Sequence, residues 1–170
     1  RASPGGNLCN ASPAADGVPC LLALGAEIEV AGRGGRRCVP LRQFITGVRR
    51  TSLAADELVT AIHVPRPRHE ARSGFLKLGA RRYLVISIAM VAATLEVVDG
   101  RVASATVAVG ACSPVAERLP ALEAALVGIA LDARLPDRVD AAHLAPLAPI
   151  DDVRGSADYR SDAVLALVRR

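Results

Sequence analysis

The chain has 170 residues, of which 51% are hydrophobic, so it can bury a core and does not have the composition of a disordered protein. Its 21 basic and 17 acidic residues give a net charge of +4, and all but one of the basic residues are Arg. These Arg residues are scattered singly and in pairs rather than in the basic blocks of nucleic-acid-binding tails. Only 2% of the residues are aromatic, which leaves little material for stacking single-stranded bases.

The sequence indicates neither a membrane span nor a disulfide framework. Its longest apolar stretch, residues 84–95, is shorter than the roughly 20 residues that a spanning helix needs, and the first residues show no signal-peptide pattern. The cysteines have neither C-x-x-C spacing nor a nearby His pair; they are Cys9, Cys20, Cys38 and Cys112. We therefore expect free thiols, no metal site and a cytoplasmic location.

The first part of the chain predicts a mixture of short helices and strands. Residues 1–7 contain Pro4-Gly5-Gly6 and are expected to form a loop. Ser12-Pro13 is typical of a helix start, and Gly25 of the end of that helix. Apolar alternation and turn residues predict strands over 26–31, 36–39 and 58–64, a turn over 32–35 and a helical turn over 40–44.

A polar stretch, residues 66–73, predicts a boundary before the second part of the chain. Two β-rich runs, 85–98 and 102–110, are joined by Asp99-Gly100, which is a strong signal for a type I′ hairpin. The other predicted elements are a strand over 74–79 and helices over 116–127, 136–144 and 158–168. Strands and helices are thus grouped rather than alternating, which predicts an α+β chain with mostly antiparallel sheets.

The first candidate site combines Gly5-Gly6-Asn7 with Asp16. Adjacent glycines let a ligand approach the backbone, their N–H groups can bind phosphate, and a neighbouring Asn can donate to a phosphate oxygen. The carboxylate of Asp16, on a short helix, can accept hydrogen bonds from sugar hydroxyls. The spacing alone is more typical of a simple Gly-Gly turn and of an acid placed to favour a helix dipole.

Lys77 is the second candidate, because it is the single Lys in a chain that otherwise uses Arg. On a strand, its compact ammonium could neutralise negative charge that develops on a cofactor. A solvated Lys on the outer face of the strand is the commoner outcome when no other feature supports a site.

Other polar residues carry weaker signals. His63, His69 and His143 share no metal-ligand spacing and have no visible Ser or Cys partner. The polar residues around the last predicted helix are expected to cap and orient it; they are Asp151, Asp152, Arg154, Tyr159 and Arg160.

Residues 3–16, SPGGNLCNASPAAD, resemble the second flavin-binding segment of the FAD-binding (medium) subunit of molybdenum hydroxylases, the xanthine dehydrogenase and carbon monoxide dehydrogenase flavoprotein family. The resemblance continues in register and covers essentially the whole chain, through residues 20–26, 36–40, 56–65, 75–82 and 153–160. Subunits of this family carry another glycine-rich loop in an earlier part. Since this chain begins at Arg1 without Met, we expect it to lack that N-terminal part.

The resemblance implies two domains. Residues 1–67 would be the second part of the FAD-binding (molybdopterin dehydrogenase type) domain, an antiparallel sheet with helices. Residues 68–170 would be a C-terminal domain of the carbon monoxide dehydrogenase flavoprotein type, an antiparallel β-sheet packed by helices.

The resemblance also implies cofactor-binding roles, position by position. An ammonium at the flavin edge would favour the negatively charged reduced flavin. The expected contacts with FAD are the backbone of Ser3, Pro4, Gly5, Gly6 and Asn7 at the phosphates, Asp16 at sugar or ribityl hydroxyls, the main chain of Val59 at the isoalloxazine ring, and Lys77 at the flavin edge.

Two positions depart from the family pattern. Pro4 stands where an Ile, Leu or Val usually precedes Gly-Gly, and it removes one backbone donor for phosphate. After Arg81-Arg82, residues 83–86 replace the acidic stretch that xanthine dehydrogenase relatives carry near the flavin edge. The electron acceptor, NAD or another, therefore does not follow from the resemblance.

The implied function is electron transfer in an oxidoreductase. Electrons would pass from a molybdenum centre in a large subunit through 2Fe-2S clusters in a small subunit to FAD here, and then to an acceptor. Molybdopterin and the clusters would belong to those partners in a hetero-oligomer, no catalytic residue is needed in this chain, and the isolated chain is expected to be inactive. One alternative is an FAD-free assembly or docking module of such a complex; another, a nucleic-acid binder, rests only on the isoelectric point of 9.2.

Overall fold

The computed structural model describes residues 3–170, which form two antiparallel β-sheet units with helices packed against them. The first unit contains α1 (Pro4–Asn10), α2 (Gly17–Ala23), β1 (Glu27–Gly32), β2 (Gly35–Pro40), α3 (Leu41–Phe44), β3 (Ile45–Gly47), β4 (Arg50–Thr51) and β5 (Leu58–His63). The second contains β6 (Glu70–Leu78), β7 (Ala89–Val98), β8 (Arg101–Gly110), β9 (Glu117–Arg118), α4 (Pro120–Leu126), 3₁₀ turns at Leu135–Arg138 and Ala141–Leu144, and α5 (Ala157–Val168). All strand pairs in the described residues are antiparallel, which confirms the predicted α+β class.

The sheet of the first unit has the strand order β2-β1-β5 and is buried on one face only. Ile28 and Val30 of the central strand are fully buried, and Val39 of β2 lies opposite Ile28. Successive side chains of a strand point to opposite faces, so the residues between these point away from the core and are polar. This alternation produces the predicted strands and leaves a polar outer face.

The second sheet has the order β6-β7-β8-β9. Its central hairpin turns at Asp99 and Gly100, whose φ angles of 49° and 71° are the positive values that the Asp-Gly signal predicts. Helix α4 packs on β8 and α5 packs on β7. Leu122 of α4 and Val164 of α5 are fully buried in the core that these helices close.

Helix α2 of the first unit packs against β7 and β8 of the second, so the second sheet is covered on both faces. Ala92 and Ala108 belong to the core of the first unit, and their small side chains let the helix approach the sheet closely. The hydroxyl of Thr106 donates to the carbonyl of Ala23 at the end of that helix. Burial on both faces explains why β7 and β8 are nearly continuous apolar runs.

The prediction of a loop over residues 1–7 is wrong from Pro4 onward, and its first two residues lie outside the described part. Ser3 is the N-cap of α1, and its Oγ accepts a hydrogen bond from the Gly6 N–H at 3.1 Å. Pro4 follows at the first helical position, which tolerates proline. Leu8 is fully buried, so tertiary packing outweighs the low helix propensity of two glycines.

Several other boundaries differ from prediction. The polar stretch 66–73 is partly strand, because β6 begins at Glu70 and pairs with β7 while its residues face solvent. The helix predicted over 136–144 is two 3₁₀ turns. Helix α2 begins only at Gly17 rather than directly after Ser12-Pro13, and β7 begins at Ala89 rather than at residue 85. Glu117–Arg118 pairs with β8 ahead of α4, and the short β3–β4 pair was not predicted.

The four cysteines are free thiols, and burial raises the pKa of the Cys112 thiol to about 11. Among the described residues no helix combines the length and the apolar character that crossing a bilayer requires.

Arg160 on α5 is almost completely buried, with 3% of its surface exposed. Its guanidinium donates to the carbonyls of Ala111, at 3.0 Å, and Ile88, and to Asp152 Oδ1 at 2.6 Å. Asp151 accepts from the Ala157 N–H at 2.6 Å, at the first residue of the same helix. These polar residues therefore cap and orient the last helix, as expected.

We expect Arg160→Met to lower the free energy of unfolding by about 1–3 kcal/mol, because it leaves the carbonyls of Ile88 and Ala111 without this donor and removes one donor from Asp152 Oδ1. Urea denaturation followed by circular dichroism measures this change. Arg154→Met is the matched control, since Arg154 binds the other oxygen of Asp152 at 3.0 Å but is 37% exposed; we expect a loss below about 1 kcal/mol. Equal losses in the two variants would show that the buried Arg160 contributes no more to stability than the exposed Arg154.

Glu57 is held by the guanidinium of Arg37 through two hydrogen bonds of 2.8 and 2.7 Å, which join β2 to the loop before β5. The Ala54 N–H also donates to this carboxylate, at 2.9 Å. The Arg37 hydrogen bonds are the main cause that lowers the pKa of Glu57 from 4.5 to about 2. A carboxyl with a lowered pKa stabilises the fold above its unfolded pKa, and this contribution is lost as the pH falls from about 4.5 towards 2.

In Glu57→Gln we therefore expect unfolding free energy to fall less steeply between pH 5 and pH 3 than in the parent chain. Urea denaturation at each pH measures the two slopes. Glu27→Gln, which changes an exposed carboxylate of β1, is the control and should keep the parent slope. Identical slopes for parent and Glu57→Gln would exclude this ion pair as a source of acid sensitivity.

Candidate functional site

An ion pair joins two of the predicted site residues, Asp16 and Lys77. The ammonium Nζ of Lys77 lies 2.5 Å from Asp16 Oδ2 and donates to the Val85 carbonyl at 2.9 Å. Ser87 Oγ donates to the other carboxylate oxygen, Oδ1, at 2.6 Å. Lys77 is therefore not a freely solvated residue on an outer strand face, and Asp16 has a donor on each oxygen.

The local folds of two distant segments produce this contact. Asp16 is the N-cap residue of α2, but its side chain makes no capping hydrogen bond and turns towards the second unit. Lys77 is the penultimate residue of β6, and the segment 79–88 folds back on it, closed by the hydrogen bond from the Ile88 N–H to the Leu78 carbonyl at 2.8 Å. That return brings the Val85 carbonyl and the Ser87 hydroxyl to the pair.

The pair keeps hydrogen-bonding capacity for an outside molecule. A carboxylate offers about four lone-pair positions and an ammonium three N–H donors. Among the described residues, Asp16 accepts two hydrogen bonds and Lys77 donates two. The side chains are 46% and 25% exposed, so the remaining acceptors and the remaining N–H are open to solvent. The arrangement can bind hydroxyl donors and one acceptor side by side.

The predicted Gly-Gly segment lies beside this pair. Asn7 of α1 packs against the first residue of α2, since a Cβ on Gly17 would lie 2.9 Å from Asn7 Oδ1. That oxygen is buried and has no hydrogen-bond partner among the described residues. At Gly5, a Cβ would meet no described atom within 4 Å, so the first turn of α1 has open space next to it.

Val59 occupies a different position from the other candidates. It is half-buried on β5 opposite Val30, and its side chain packs against the first core. Its strand is the edge of the first sheet and contacts α1. The structure thus brings residues 3–7, Asp16 and Lys77 together. Val59 lies apart from them on β5, and only the packing of α1 against β5 links it to residues 3–7.

Two family descriptions match the sequence. Residues 1–67 match the FAD binding domain in molybdopterin dehydrogenase. Residues 75–170, more than half of the chain, match the CO dehydrogenase flavoprotein C-terminal domain. The chain belongs to the CO dehydrogenase flavoprotein family. This confirms the family resemblance identified in the sequence.

Relatives of this flavoprotein-family chain extend over nearly its whole length. It is 36% identical over 174 residues to the nicotine 6-hydroxylase medium subunit of Paenarthrobacter nicotinovorans, covering 100% of this chain and 59% of the relative. It is 33% identical over 168 residues to the carbon monoxide dehydrogenase medium chain of Afipia carboxidovorans, covering 98% of this chain and 57% of the relative. The chain therefore spans slightly less than three fifths of the length of these relatives.

Solved structures of the family share the fold. The reconstituted CO dehydrogenase from Oligotropha carboxidovorans matches with a TM-score of 0.91 and 31% identity, over 99% of this chain and 58% of that one. The quinoline 2-oxidoreductase from Pseudomonas putida 86 matches with a TM-score of 0.89 and 27% identity, over 100% of this chain and 59% of that one.

The family implies FAD, and the donor set of the site fits such a group. FAD carries hydroxyls along its ribityl chain, a pyrophosphate, and a ring with hydrogen-bond acceptors. Asp16 has acceptor positions open to solvent for hydroxyls, and Lys77 has one N–H for an acceptor. The Ser3–Asn7 segment reaches the start of α2, because Asn7 packs against Gly17, the residue after Asp16.

Sequence reasoning missed Ser87, which this flavoprotein-family chain uses to hold Asp16. Ser87 is 1% exposed and interrupts the apolar stretch 84–95. A buried hydroxyl requires a hydrogen-bond partner, so a Ser within an apolar run is a signal for a polar contact. The sequence could therefore have indicated that Ser87 has a partner, although not that the partner is Asp16.

The departure after Arg81-Arg82 forms an exposed apolar loop next to Lys77. Arg81 donates to the Leu84 carbonyl, and Leu84 has a φ of 50° and is 92% exposed. The Arg82 guanidinium lies 5.2 Å from the ring centroid of Tyr83, a cation–π contact. The surface beside the pair is thus basic and apolar where xanthine dehydrogenase relatives are expected to be acidic.

We expect Asp16 and Lys77 to stabilise the fold jointly. In a double-mutant cycle of Asp16→Asn and Lys77→Met, urea denaturation should give a coupling energy of about 0.5–1 kcal/mol, because both groups are partly exposed. This energy should shrink in about 1 M salt, where the Debye length is about 3 Å. A parallel cycle of Asp16→Asn with Arg72→Met, an exposed cation of the same strand, should show no coupling. Coupling in both cycles would contradict a specific pair.

Proposed function

We propose that this chain is part of the FAD-binding electron-transfer subunit of an oxidoreductase of the molybdenum hydroxylase class. The observation that carries the proposal is the cluster of Asp16, Lys77 and Ser87 beside the Ser3–Asn7 segment, in a chain of the CO dehydrogenase flavoprotein family. FAD, when bound, supplies the redox centre through which such a subunit relays electrons from iron–sulfur clusters to an acceptor. The protein residues bind and orient that group.

The first contact we assign is to phosphate. The backbone of Ser3, Pro4, Gly5, Gly6 and Asn7 would approach the pyrophosphate, which glycines allow because they have no side chain in the way. Pro4 contributes no N–H, so the donors at this segment are fewer than in relatives with Ile, Leu or Val at that position.

The second contact is to the ribityl chain and the ring. Asp16 would accept hydrogen bonds from sugar or ribityl hydroxyls, with its orientation set by the Ser87 hydroxyl. Lys77 would direct its remaining N–H to the flavin edge, where its positive charge stabilises negative charge on the ring. The main chain of Val59, on the edge strand, would contact the isoalloxazine ring.

The same proposal extends to domains and partners. Residues 1–67 would form the second part of the FAD-binding domain and residues 68–170 the C-terminal domain of the subunit. Two relatives are named as a medium subunit or chain, and one as a subunit of a dehydrogenase complex, which supports a hetero-oligomer here. Its other members would be a molybdopterin-binding large subunit and a 2Fe-2S small subunit. No general acid or base is required of this chain, because its task is to position a redox group.

One observation favours the alternative of an FAD-free assembly module. Asp16 and Lys77 neutralise each other and join the two sheet units, a structural task that needs no cofactor. In such a module the ion pair would serve only to hold the two sheet units together. The two functions differ in whether the open hydrogen-bonding positions of the pair are used.

Titration of the 170-residue chain with FAD, followed by flavin fluorescence and absorbance, tests the proposal. We expect saturable binding that weakens about 10- to 100-fold in Asp16→Ala and in Lys77→Met, because each removes a hydrogen bond involving a charged group. Asp162→Ala, an exposed acid in α5, and Arg72→Met, on the same strand as Lys77, are the controls and should bind FAD like the parent chain.

Circular dichroism and thermal unfolding of each variant separate loss of binding from loss of folding. Saturable binding that Asp16→Ala and Lys77→Met leave unchanged would place FAD elsewhere and exclude the assigned contacts. No saturable binding by the folded parent chain would overturn the proposal for this chain and favour the assembly module.

A further inference from the structure

Three metal-binding side chain types meet on the outer face of the first sheet. Glu29 on β1 pairs directly with Cys38 on β2. His63 on β5 pairs with Glu27, which is two residues before Glu29 on β1 and therefore on the same face of the sheet. The ligand atoms of Glu29, Cys38 and His63 all lie within 4.8 Å of one another. The cluster arises from strand register, because neighbouring strands place facing side chains about 5 Å apart.

The spacing suits a small tetrahedral cation. Zinc bonds of about 2.0–2.3 Å place neighbouring ligand atoms about 3.4 Å apart, and His63 Nε2 lies 3.5 Å from Glu29 Oε2. Cys38 is exposed, so its thiol is free to reorient towards the other two ligand atoms, and all three already lie within 4.8 Å of one another.

The chemistry of the three groups selects the class of cation. Thiolate, imidazole and carboxylate are the ligands of Zn²⁺ and similar transition metals, whereas Ca²⁺ and Mg²⁺ require six or more oxygen ligands. A thiolate and a carboxylate together neutralise a divalent charge. A three-ligand set also leaves the fourth tetrahedral position for water, as in zinc sites with an open position.

The surroundings of Glu29 prepare it for this role. Thr60 Oγ1 donates to Oε1 at 2.6 Å, which leaves Oε2 directed towards His63. Hydrogen bonds of this kind orient metal ligands in known sites.

One neighbouring group opposes metal binding. Arg36 Nη1 lies 3.4 Å from Glu29 Oε1 and is 72% exposed, so it competes with a cation for the same carboxylate. Its exposure makes that ion pair weak, and a bound metal can displace it. Removing the Arg36 guanidinium should therefore improve metal binding.

We propose that Glu29, Cys38 and His63 form a site for a divalent transition-metal cation with the ligand preferences of Zn²⁺. The cation would join β2, β1 and β5 on the outer face of the sheet. The other face carries the core, against which α1 packs through Leu8. The site uses none of the residues assigned to FAD above. The proposal departs from the expectation of no metal site, which considered sequence spacing alone.

Titration of the reduced 170-residue chain with Co²⁺, a spectroscopic substitute for Zn²⁺, tests the site. We expect saturation at one equivalent, a near-ultraviolet thiolate-to-cobalt band, and visible bands of tetrahedral intensity that Zn²⁺ abolishes and Mg²⁺ does not. Cys38→Ser should remove the thiolate band, and His63→Ala should weaken binding by more than about 100-fold. Cys9→Ser and His69→Ala change an exposed cysteine and an exposed histidine elsewhere and should behave like the parent chain.

Arg36→Gln tests the site through a gain of binding, which misfolding would not produce. It should tighten Co²⁺ binding, because it removes the competing guanidinium. Metal should also raise the thermal unfolding midpoint of the parent chain and not that of Cys38→Ser. The proposal is overturned if the parent chain shows no saturable binding, if the thiolate band survives in Cys38→Ser, or if Cys9→Ser removes it.

Discussion

The carboxylate of Asp16 is the interaction on which the candidate site depends. Its two donors, Lys77 and Ser87, lie 61 and 71 residues further along the chain and belong to the second sheet unit. The carboxylate therefore acquires its position and its charge partner only when the two units dock. Because it is still half exposed, the contact that joins the units also leaves acceptor positions for an outside molecule.

That docking is directed by apolar packing rather than by the ion pair. Helix α2 lies against β7 and β8, where Ala92 and Ala108 provide a surface without projecting side chains. Non-directional burial of this kind supplies most of the driving force, while a partly exposed ion pair contributes little. Asp16 stands at the start of the same helix, so the packing of α2 sets the distance between Asp16 and Lys77.

The two faces of the first sheet have separate chemistry. The inner face carries the core and the helix that begins with Ser3–Asn7, next to the proposed FAD contacts. The outer face is polar and carries Glu29, Cys38 and His63, the proposed metal ligands. A strand alternates its side chains between faces, so one short sheet can present two unrelated sites. Failure of either proposal would leave the other intact.

The sequence by itself determined the features that depend on neighbours in the chain: the Asp99-Gly100 hairpin, the α+β class, the last helix, and the chemical types of Asp16 and Lys77. Motif resemblance added the family. Only the tertiary structure decided that residues from Pro4 form a helix, that Ser87 holds Asp16, and that strand register gathers the proposed metal ligands. Turn and capping preferences act over a few residues, whereas these contacts are set by how distant segments pack, which no local pattern encodes.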